Sequence, residues 1–324
     1  MMLQRPFSVH THPMHRKTYI IPTPSIDALH EKIIDLIYHG TPGMIVYALT
    51  RIGKTYAIRY LEGMLKRTYL PGSLINLECH YTNSKASEGD FYSNFLHCMK
   101  HPDAEMGNRT QKRIRLINLL LRNLEKSKDS LLLLFVDEAQ HLQVEEYRWL
   151  TEISNRIEKE GYRMTTFMFG QPQLKQQKDA FRLSAQTQII GRFMVDEFAF
   201  HGIQSEEDLA ACLQGYDNTM FPIGSDWSFT RFCLPSKWSC GFRSIDLTSS
   251  LWKAFLSARP DTHRRNAMEI PMKYFSQTIE ILLLKDGIDD QGNEREVTLP
   301  RINDAIQRSG FLSAQEDIFV VGKY

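Results

Sequence analysis

The chain has 324 residues, a formal net charge of +1, 42% hydrophobic residues and 24% charged residues. This composition is ordinary for a globular protein, and the length suffices for two domains or for one large domain with a lid. Because the chain carries almost no net charge, it is not basic as a whole. Any contact with nucleic acid must therefore come from local basic patches.

The sequence pattern predicts a soluble, cytoplasmic protein with no membrane segment. The longest apolar run, residues 131–136, is far too short to span a bilayer, and the first residues lack the apolar core of a signal peptide. The five cysteines form no C-x-x-C pair, which is typical of a chain that works in a reducing compartment.

Strands and helices alternate over the first two hundred residues. Residues 1–24 are rich in His and Pro and predict an extended arm, after which Ser25 caps a helix that ends before Gly40. Strands are predicted at residues 43–49, 73–79, 131–136, 164–170 and 196–201. Helices are predicted between them at residues 54–66, 90–99, 111–126 and 147–159. This alternation is typical of a parallel sheet covered by helices.

The strand signals end near residue 203, and helical patterns follow at residues 205–213, 241–257 and 271–284. No structure is predicted for residues 216–240. We therefore divide the chain into an arm at 1–24, an α/β nucleotide-binding domain at 25–202, a smaller helical lid domain at 203–310 and a tail at 311–324. The apolar end of the tail predicts docking, either onto a partner or onto the lid itself.

Residues 48–55, Ala-Leu-Thr-Arg-Ile-Gly-Lys-Thr, have the pattern of a phosphate-binding loop between a strand and a helix. Backbone N–H groups wrap the phosphates in such a loop, Lys54 is expected to reach the β- and γ-phosphates, and Thr55 is expected to bind Mg²⁺. The residues predicted to bind nucleotide are Thr50, Arg51, Ile52, Gly53, Lys54, Thr55 and Tyr56. Ala48 replaces the usual glycine, which is compatible with the turn only if its φ stays negative. The alternative is a chance loop-to-helix turn.

A second motif lies at residues 131–142, where six apolar residues lead directly into Asp137 and Glu138. An apolar run without alternation is typical of a central strand buried on both faces. At the end of such a strand, we expect Asp137 to hold Mg²⁺ through its water shell and Glu138 to orient and deprotonate the attacking water. The alternative is an acidic pair on the surface, which the preceding apolar run disfavours.

Three further polar residues follow these two motifs along the chain. Gln171 lies at the tip of the next strand and is expected to sense the γ-phosphate or the attacking water. Arg192 precedes the last strand and is expected to enter the site of a neighbouring subunit as an arginine finger. Arg243 opens a helix of the lid and is expected to touch the γ-phosphate. Each of them taken alone has the alternative of an ordinary surface residue.

With these elements in this order, the chain resembles the AAA+ ATPases over residues 20–284. Residues 136–142 (Val-Asp-Glu-Ala-Gln-His-Leu) and 169–174 (Phe-Gly-Gln-Pro-Gln-Leu) are similar to the branch that holds the TniB/TnsC transposition regulators and the ExeA-type secretion ATPases. ExeA-type proteins usually carry a membrane segment and a wall-binding part, and neither pattern occurs here. The resemblance therefore favours the transposition regulators, in particular the compact forms of Tn7-like and CRISPR-associated elements.

The resemblance implies an AAA+ P-loop sheet with a helical lid, and ATP and Mg²⁺ as ligands. It also implies an oligomer that forms a ring or filament around duplex DNA when ATP is bound. Such proteins receive a signal from a TniQ-type adaptor and recruit transposase subunits, and hydrolysis then disassembles the oligomer. Two alternatives stay open. One is an AAA+ loader ATPase of replication, and the other is an ATP-binding switch with little hydrolysis because of Ala48.

Contact with DNA phosphates needs exposed basic side chains, whichever base sequence is bound. The residues predicted to contact DNA are Lys85, Lys100, Arg109, Lys112, Arg113 and Arg115. A solvated helix face is the alternative for the last three. A basic cluster at residues 259–265 and the basic segment 10–17 are further candidate contact surfaces for partners.

Overall fold

The computed structural model describes residues 5–69, 73–80, 85–127, 130–259, 267–288 and 294–313. These residues form two compact units. The sheet unit takes its described residues from Leu29–Thr50 and Lys54–Phe200, and the helical unit takes them from Met1–Ala28, Arg51–Gly53 and His201–Tyr324. No helix among the described residues is long and apolar enough to span a membrane.

The sheet unit contains five parallel strands in the order β2-β3-β4-β1-β5. They are β1 (Gly43–Tyr47), β2 (Leu74–Glu78), β3 (Leu131–Asp137), β4 (Arg163–Gly170) and β5 (Asp196–Ala199). All five predicted strands are therefore present, with ends that differ by up to two residues. Because every connection is a crossover, all the carboxyl ends lie along one edge of the sheet.

The central strand β3 is buried at every position, as its unbroken apolar run predicts. Leu132 and Leu134 belong to a core cluster on one side of it, while Leu133 and Phe135, which alternate with them, are also fully buried. Phe135 stacks on Phe169 of β4 with ring centroids 5.9 Å apart. Both faces of the sheet are thus covered, which keeps water away from the strands that carry the predicted site.

Seven helices connect or flank these strands. They are α2 (Pro24–His39), α3 (Lys54–Leu65), α4 (Glu88–Cys98), α5 (Arg109–Glu125), α6 (Val144–Lys159), α7 (Gln173–Leu183) and α8 (Thr187–Phe193). Capping boxes explain where two of these helices begin. Asn108 and Gln111 form one at the start of α5, and Gln143 and Glu146 form one at the start of α6. The sequence pattern did not predict α7 and α8.

The helical unit contains α1 (Pro13–Arg16), α9 (Glu206–Asn218), α10 (Phe229–Cys233), α11 (Pro235–Ser239), α12 (Thr248–Ala258), α13 (Met272–Ile279) and α14 (Leu299–Arg308). A π-helical turn, Glu280–Lys285, continues α13. The predicted helices at 205–213, 241–257 and 271–284 correspond to α9, to α12 with its preceding 3-10 turn, and to α13 with the π turn. α10, α11 and α14 were not predicted.

The prediction of an extended arm at 1–24 is wrong for the residues from Arg5 onward. A 3-10 turn (Val9–Thr11) and α1 fold this segment into the core of the helical unit, where Met14 is fully buried. The His12 ring stacks on Phe232 at 4.2 Å between centroids, and burial lowers the pKa of His12 to about 4. Lys17 forms an ion pair with the buried carboxylate of Glu280. The segment is therefore a structural part of this unit.

Several predictions fall partly or wholly outside the described residues. The segment before the predicted DNA contact Lys85 lies outside the described residues from 81 to 84, and the basic cluster at residues 259–265 is described only at Arg259. The tail lies outside the described residues after residue 313.

Candidate nucleotide site

The predicted site residues of the sheet unit converge because β4 lies between β1 and β3. The register places Tyr47 of β1 beside Gly170 of β4, and Val136 of β3 beside Met168 of β4. The phosphate-loop motif, the acidic pair and the polar strand tip therefore all follow neighbouring strand ends. Ligands of open α/β sheets bind at this edge.

The backbone of the phosphate-loop motif takes the conformation that its residues allow. Gly53 has φ +119°, which L-residues rarely adopt, so the glycine is required there. Ala48 is not among the described residues with positive φ, so alanine is compatible with its turn, as predicted. Its N–H donates to the Gly170 carbonyl at 3.1 Å and extends the β1–β4 ladder by one bond. Arg51, at φ +67°, donates a hydrogen bond to the Tyr274 hydroxyl within the helical unit.

Lys54 begins α3 and is buried, with 7% of its surface exposed. Its ammonium donates hydrogen bonds of 3.1 Å to the carbonyls of Ala48 and Leu49. Burial lowers the pKa of Lys54, while the nearby carboxylates of Glu138 and Asp137 act in the opposite direction. A buried ammonium held inside its own loop is a suitable donor for an anionic ligand of that loop.

Thr55 and Asp137 are in direct contact, since the threonine Oγ1 donates to Asp137 Oδ2 at 2.8 Å. The other carboxylate oxygen accepts the N–H of Glu138 at 2.9 Å. Burial raises the pKa of Asp137. A hydroxyl and a carboxylate side by side are hard oxygen ligands of the type that Mg²⁺ prefers, so this pair fits the predicted metal.

The phosphate loop also fits its predicted ligand. Over the parts of the chain that the structure describes, the N–H groups of residues 50–53 have no hydrogen-bond acceptor. Backbone donors without partners, followed directly by the start of α3, form the usual arrangement for binding a phosphate.

Glu138 has a left-handed backbone, with φ 54° and ψ 36°, at the turn between β3 and a short 3-10 helix (Ala139–His141). This conformation is uncommon for a residue with a side chain and turns the chain sharply after Asp137. The Glu138 carboxylate accepts a hydrogen bond from Gln140 at 2.5 Å. Gln140 in turn contacts the backbone of Gln171, which lies at the tip of β4 as predicted. The sequence pattern did not single out Gln140.

Arg192 lies on α8 and is held by α6 of the same chain. Its guanidinium donates to Glu158 Oε1 at 2.6 Å, to Asn155 Oδ1 at 2.8 Å and to the hydroxyl of Ser154. The side chain remains 23% exposed. Arg192 is thus partly exposed, and its donors are engaged within its own subunit.

Arg243 belongs to the helical unit and begins a 3-10 turn, Ser244–Leu247. Its guanidinium lies 3.5 Å from the ring centroid of Trp238 and donates to the carbonyls of Trp238 and Phe242. These contacts fix the side chain locally. Its predicted contact with the γ-phosphate stays a prediction.

Residues 38–177 match the family model of an AAA domain, AAA_22, and this match contains the phosphate loop, Asp137, Glu138 and Gln171. This part of the chain is similar to AAA domains. The prediction of an AAA+ sheet flanked by helices with a C-terminal helical region is confirmed. No curated protein sequence matches the chain significantly. The narrower TniB/TnsC assignment stays a prediction.

The chain also matches solved structures of proteins from Aeropyrum pernix and Pyrobaculum aerophilum. The ADP form of the ORC2 protein of Aeropyrum pernix has a TM-score of 0.54 and 12% identity, covering 91% of this chain and 72% of that chain. Cdc6p of Pyrobaculum aerophilum has a TM-score of 0.42 and 11% identity, covering 93% and 86%. The A. pernix ORC1 protein in complex with DNA has a TM-score of 0.40 and 15% identity, covering 95% and 86%. The likeness to ORC2 establishes a shared fold only.

Two basic residues of the sheet unit that are predicted to contact DNA are engaged within the protein. Lys112 is buried, and its ammonium donates to Ser93 Oγ at 2.6 Å and lies near Glu105. Arg115 donates to the carbonyls of Asp103 at 2.8 Å and Met106 at 2.7 Å. Both side chains hold α5 against the segment before it, so we do not include them in the proposed DNA surface.

The other four predicted DNA contacts remain accessible to different degrees. Lys85, Lys100 and Arg109 are exposed. Arg113 is partly exposed and pairs with Glu152 at 2.8 Å. A surface ion pair of this kind contributes little to stability and exchanges readily with another anion, such as a phosphate.

The raised pKa of Asp137 gives a stability prediction for the sheet unit. Because burial raises its pKa in the folded state, the free energy of unfolding falls as the pH rises from the ordinary aspartate pKa through the raised one. At neutral pH, Asp137→Asn should raise Tm, and the gain should shrink as the pH falls and the native carboxyl becomes protonated. Thermal unfolding of the ligand-free protein at pH 7 and pH 4 measures this.

The control for this prediction is Asp35→Asn, which alters an exposed carboxylate of α2. It should not raise Tm at neutral pH. An Asp137→Asn protein that is less stable than the wild type at pH 7 would contradict the prediction.

Proposed function

We propose that this chain hydrolyses ATP and uses ATP binding to regulate DNA transposition. The observation that carries the ATPase part is the hydrogen bond of 2.8 Å between Thr55 and Asp137, beside the buried ammonium of Lys54. A hydroxyl and a carboxylate of the kind that Mg²⁺ prefers meet a buried cation at one edge of the sheet, and the loop that leads into Lys54 has unpartnered N–H groups. Few functions other than nucleoside triphosphate binding require this combination.

Each residue has a distinct role in the proposed reaction. The loop N–H groups and Lys54 bind the β- and γ-phosphates. Mg²⁺, held by Thr55 and through water by Asp137, would neutralise charge that develops on the phosphate oxygens. Glu138 accepts a proton from water as the water oxygen bonds to the γ-phosphorus and the bond to the β–γ bridging oxygen breaks. The products are ADP and inorganic phosphate.

Arg192 is proposed to act in the site of a neighbouring subunit, which makes hydrolysis depend on assembly. To do so, the guanidinium must exchange its contacts with Ser154, Asn155 and Glu158 for the γ-phosphate of the neighbour. The Glu158 carboxylate is 47% exposed, so water competes with Arg192 for it. The ion pair between Arg192 and Glu158 is therefore weak. Hydrolysis would then occur only in the ring or filament.

The transposition part rests on the two motifs, Val-Asp-Glu-Ala-Gln-His-Leu and Phe-Gly-Gln-Pro-Gln-Leu, that resemble the TniB/TnsC regulators. In this role the ATP-bound oligomer surrounds duplex DNA and contacts its backbone regardless of sequence, with Lys85, Lys100, Arg109 and Arg113 as the candidate contacts. A TniQ-type adaptor signals the target, transposase subunits join, and hydrolysis disassembles the oligomer.

Capture of partners by a hydrolysis-deficient bait tests this proposal. A tagged Glu138→Gln protein with ATP and duplex DNA is mixed with an extract of its own host, and a Lys54→Ala protein serves as the control that cannot hold ATP. Enrichment of transposase subunits with the first bait only supports transposition. Enrichment of a replicative helicase instead would overturn it.

The second candidate function is a replication-type AAA+ loader. It is favoured by the same nucleotide site, and the protein with a similar fold, ORC2, is described in an ADP form. The site residues are common to both functions, so the captured partner decides between them. A third candidate, a switch that binds ATP but barely hydrolyses it, is distinguished by turnover: this switch should assemble with ATP and release almost no phosphate.

A further inference from the structure

The Gln140 side chain forms a bridge between the proposed catalytic base and the tip of β4. Its Nε2 donates to Glu138 Oε2 at 2.5 Å, and its Oε1 accepts the backbone N–H of Gln171 at 3.1 Å. A backbone N–H can only donate, so the oxygen end of the amide must face Gln171 and the NH₂ end must face the carboxylate. The backbone N–H of Gln171 thereby orients the Gln140 amide so that its NH₂ group, and not its oxygen, faces the Glu138 carboxylate.

The protein leaves room for this amide by having glycine at the end of β4. A Cβ added to Gly170 would lie 2.4 Å from Gln140 Oε1 and 2.6 Å from a methyl group of Leu174. Gly170 does not have a positive φ among the described residues, so its backbone conformation does not require glycine. The space it leaves is filled by the Gln140 amide and by Leu174.

The turn after β3 brings the two partners together. Glu138 has the left-handed backbone, and Ala139–His141 form a single 3-10 turn, so the side chains of residues 138 and 140 come within hydrogen-bond distance of each other. The amide nitrogen also lies 3.4 Å from His141 Nε2, a longer contact than that to Glu138. The bond of 2.5 Å to a charged acceptor is the dominant one.

We propose that Gln140 is a positioning residue for ATP hydrolysis, an inference that rests on the ATPase function proposed above. The amide holds one oxygen of the Glu138 carboxylate, which leaves the other oxygen available to take the proton of the attacking water. Because the same amide is attached to the backbone at Gln171, a shift of the β4 tip on nucleotide binding moves the base with it. Gln140 thus couples the strand that is expected to sense the γ-phosphate to the residue that activates water.

A purely structural role for Gln140 is the competing explanation, since the amide also ties two loops together. Gln177 provides a matched control for such a role. Its Nε2 donates to the Leu142 carbonyl at 2.9 Å, and its Oε1 accepts the Tyr147 hydroxyl at 2.8 Å. It is thus a second glutamine that joins neighbouring segments of the same unit through both ends of its amide, but its contacts do not include Glu138.

The experiment compares Gln140→Leu, Gln177→Leu and the wild type by ATP turnover and by affinity for a fluorescent ATP analogue. Leucine keeps much of the volume but removes the donor. We expect kcat of Gln140→Leu to fall about 10- to 100-fold, the effect of one hydrogen bond to a charged group, with affinity within about twofold of wild type. Gln177→Leu should keep the wild-type kcat per folded molecule.

A double-mutant cycle with Glu138→Gln, measured by single-turnover hydrolysis, gives a second readout. If Gln140 acts through Glu138, then Gln140→Leu should cause almost no further loss in the Glu138→Gln background, whereas an independent structural effect would multiply the two losses. A wild-type kcat for Gln140→Leu, or equal losses in both leucine variants, would overturn the inference. If the wild type itself does not hydrolyse ATP, the proposed function fails instead.

Discussion

Arg192→Ala is expected to lower ATP turnover by about 10³–10⁵-fold in the assembled protein, the range measured for arginine fingers. ATP binding by single subunits should be unchanged, because Lys54, Thr55 and Asp137 form their contacts without Arg192. Phosphate release at saturating ATP, together with the affinity for a fluorescent ATP analogue, measures the two effects separately.

Two controls separate action in trans from a structural effect on α6 and α8. Glu158→Ala removes the strongest partner of Arg192 in its own subunit but leaves the guanidinium, so it should keep turnover or raise it. Mixing Arg192→Ala with Lys54→Ala subunits should restore part of the activity, since each subunit supplies the group that the other lacks. No recovery on mixing, with equal losses for Glu158→Ala and Arg192→Ala, would assign Arg192 a structural role.

Glu138→Gln is expected to lower turnover by about 10²–10⁴-fold while ATP and the metal remain bound. Glutamine keeps the size of the side chain but cannot accept the proton of the attacking water. The oligomer that forms with ATP should therefore persist on duplex DNA instead of disassembling. Single-turnover hydrolysis and the lifetime of the DNA complex after an ATP chase measure the two consequences.

The matched control for this substitution is Glu145→Gln. It changes a half-buried carboxylate in the first turn of α6, seven residues farther along the chain, and should leave turnover near wild type. If Glu138→Gln hydrolysed ATP at the wild-type rate, another group would have to be the base.

Much of the sheet unit could be predicted from the sequence because its strands are apolar on both faces. The run at residues 131–136 has no polar interruption, and the structure buries every position of β3. The order of the strands was not predictable in the same way, since it depends on crossovers between segments far apart in the chain. Without that order, the sequence could not show that the end of β4 lies beside the start of the phosphate loop, where the Ala48 N–H donates to the Gly170 carbonyl.

The first residues of the chain show why the arm was predicted incorrectly. His and Pro at high frequency predict irregular structure, but tertiary packing decided the outcome. Met14 is fully buried, and the ring of His12 lies against Phe232, more than two hundred residues away in sequence. A short helix such as α8, with seven residues, likewise gives only a weak helical pattern in the sequence. It forms because its apolar side chains are buried by tertiary packing.

The sequence names the residues of the candidate nucleotide site where a motif is contiguous, but it does not reveal contacts between residues that are far apart in the chain. Thr55 and Asp137 were named from separate motifs, and the structure places them in hydrogen-bond contact. The sequence pattern gives Gln140 no role because its partner, Gln171, is 31 residues away in the chain. The charge of Lys112 predicts contact with DNA, but the side chain is buried and its ammonium donates to Ser93. Helix periodicity does not reveal this pairing.

Electron microscopy of the purified protein with duplex DNA, with and without a slowly hydrolysed ATP analogue, tests the central claim most directly. ATP-dependent assembly on DNA is the property that links the nucleotide site to a role in transposition. We expect rings or filaments on DNA only when the analogue is present, and none for Lys54→Ala under either condition. Monomers under both conditions, in a preparation that binds the analogue, would contradict the proposed mechanism.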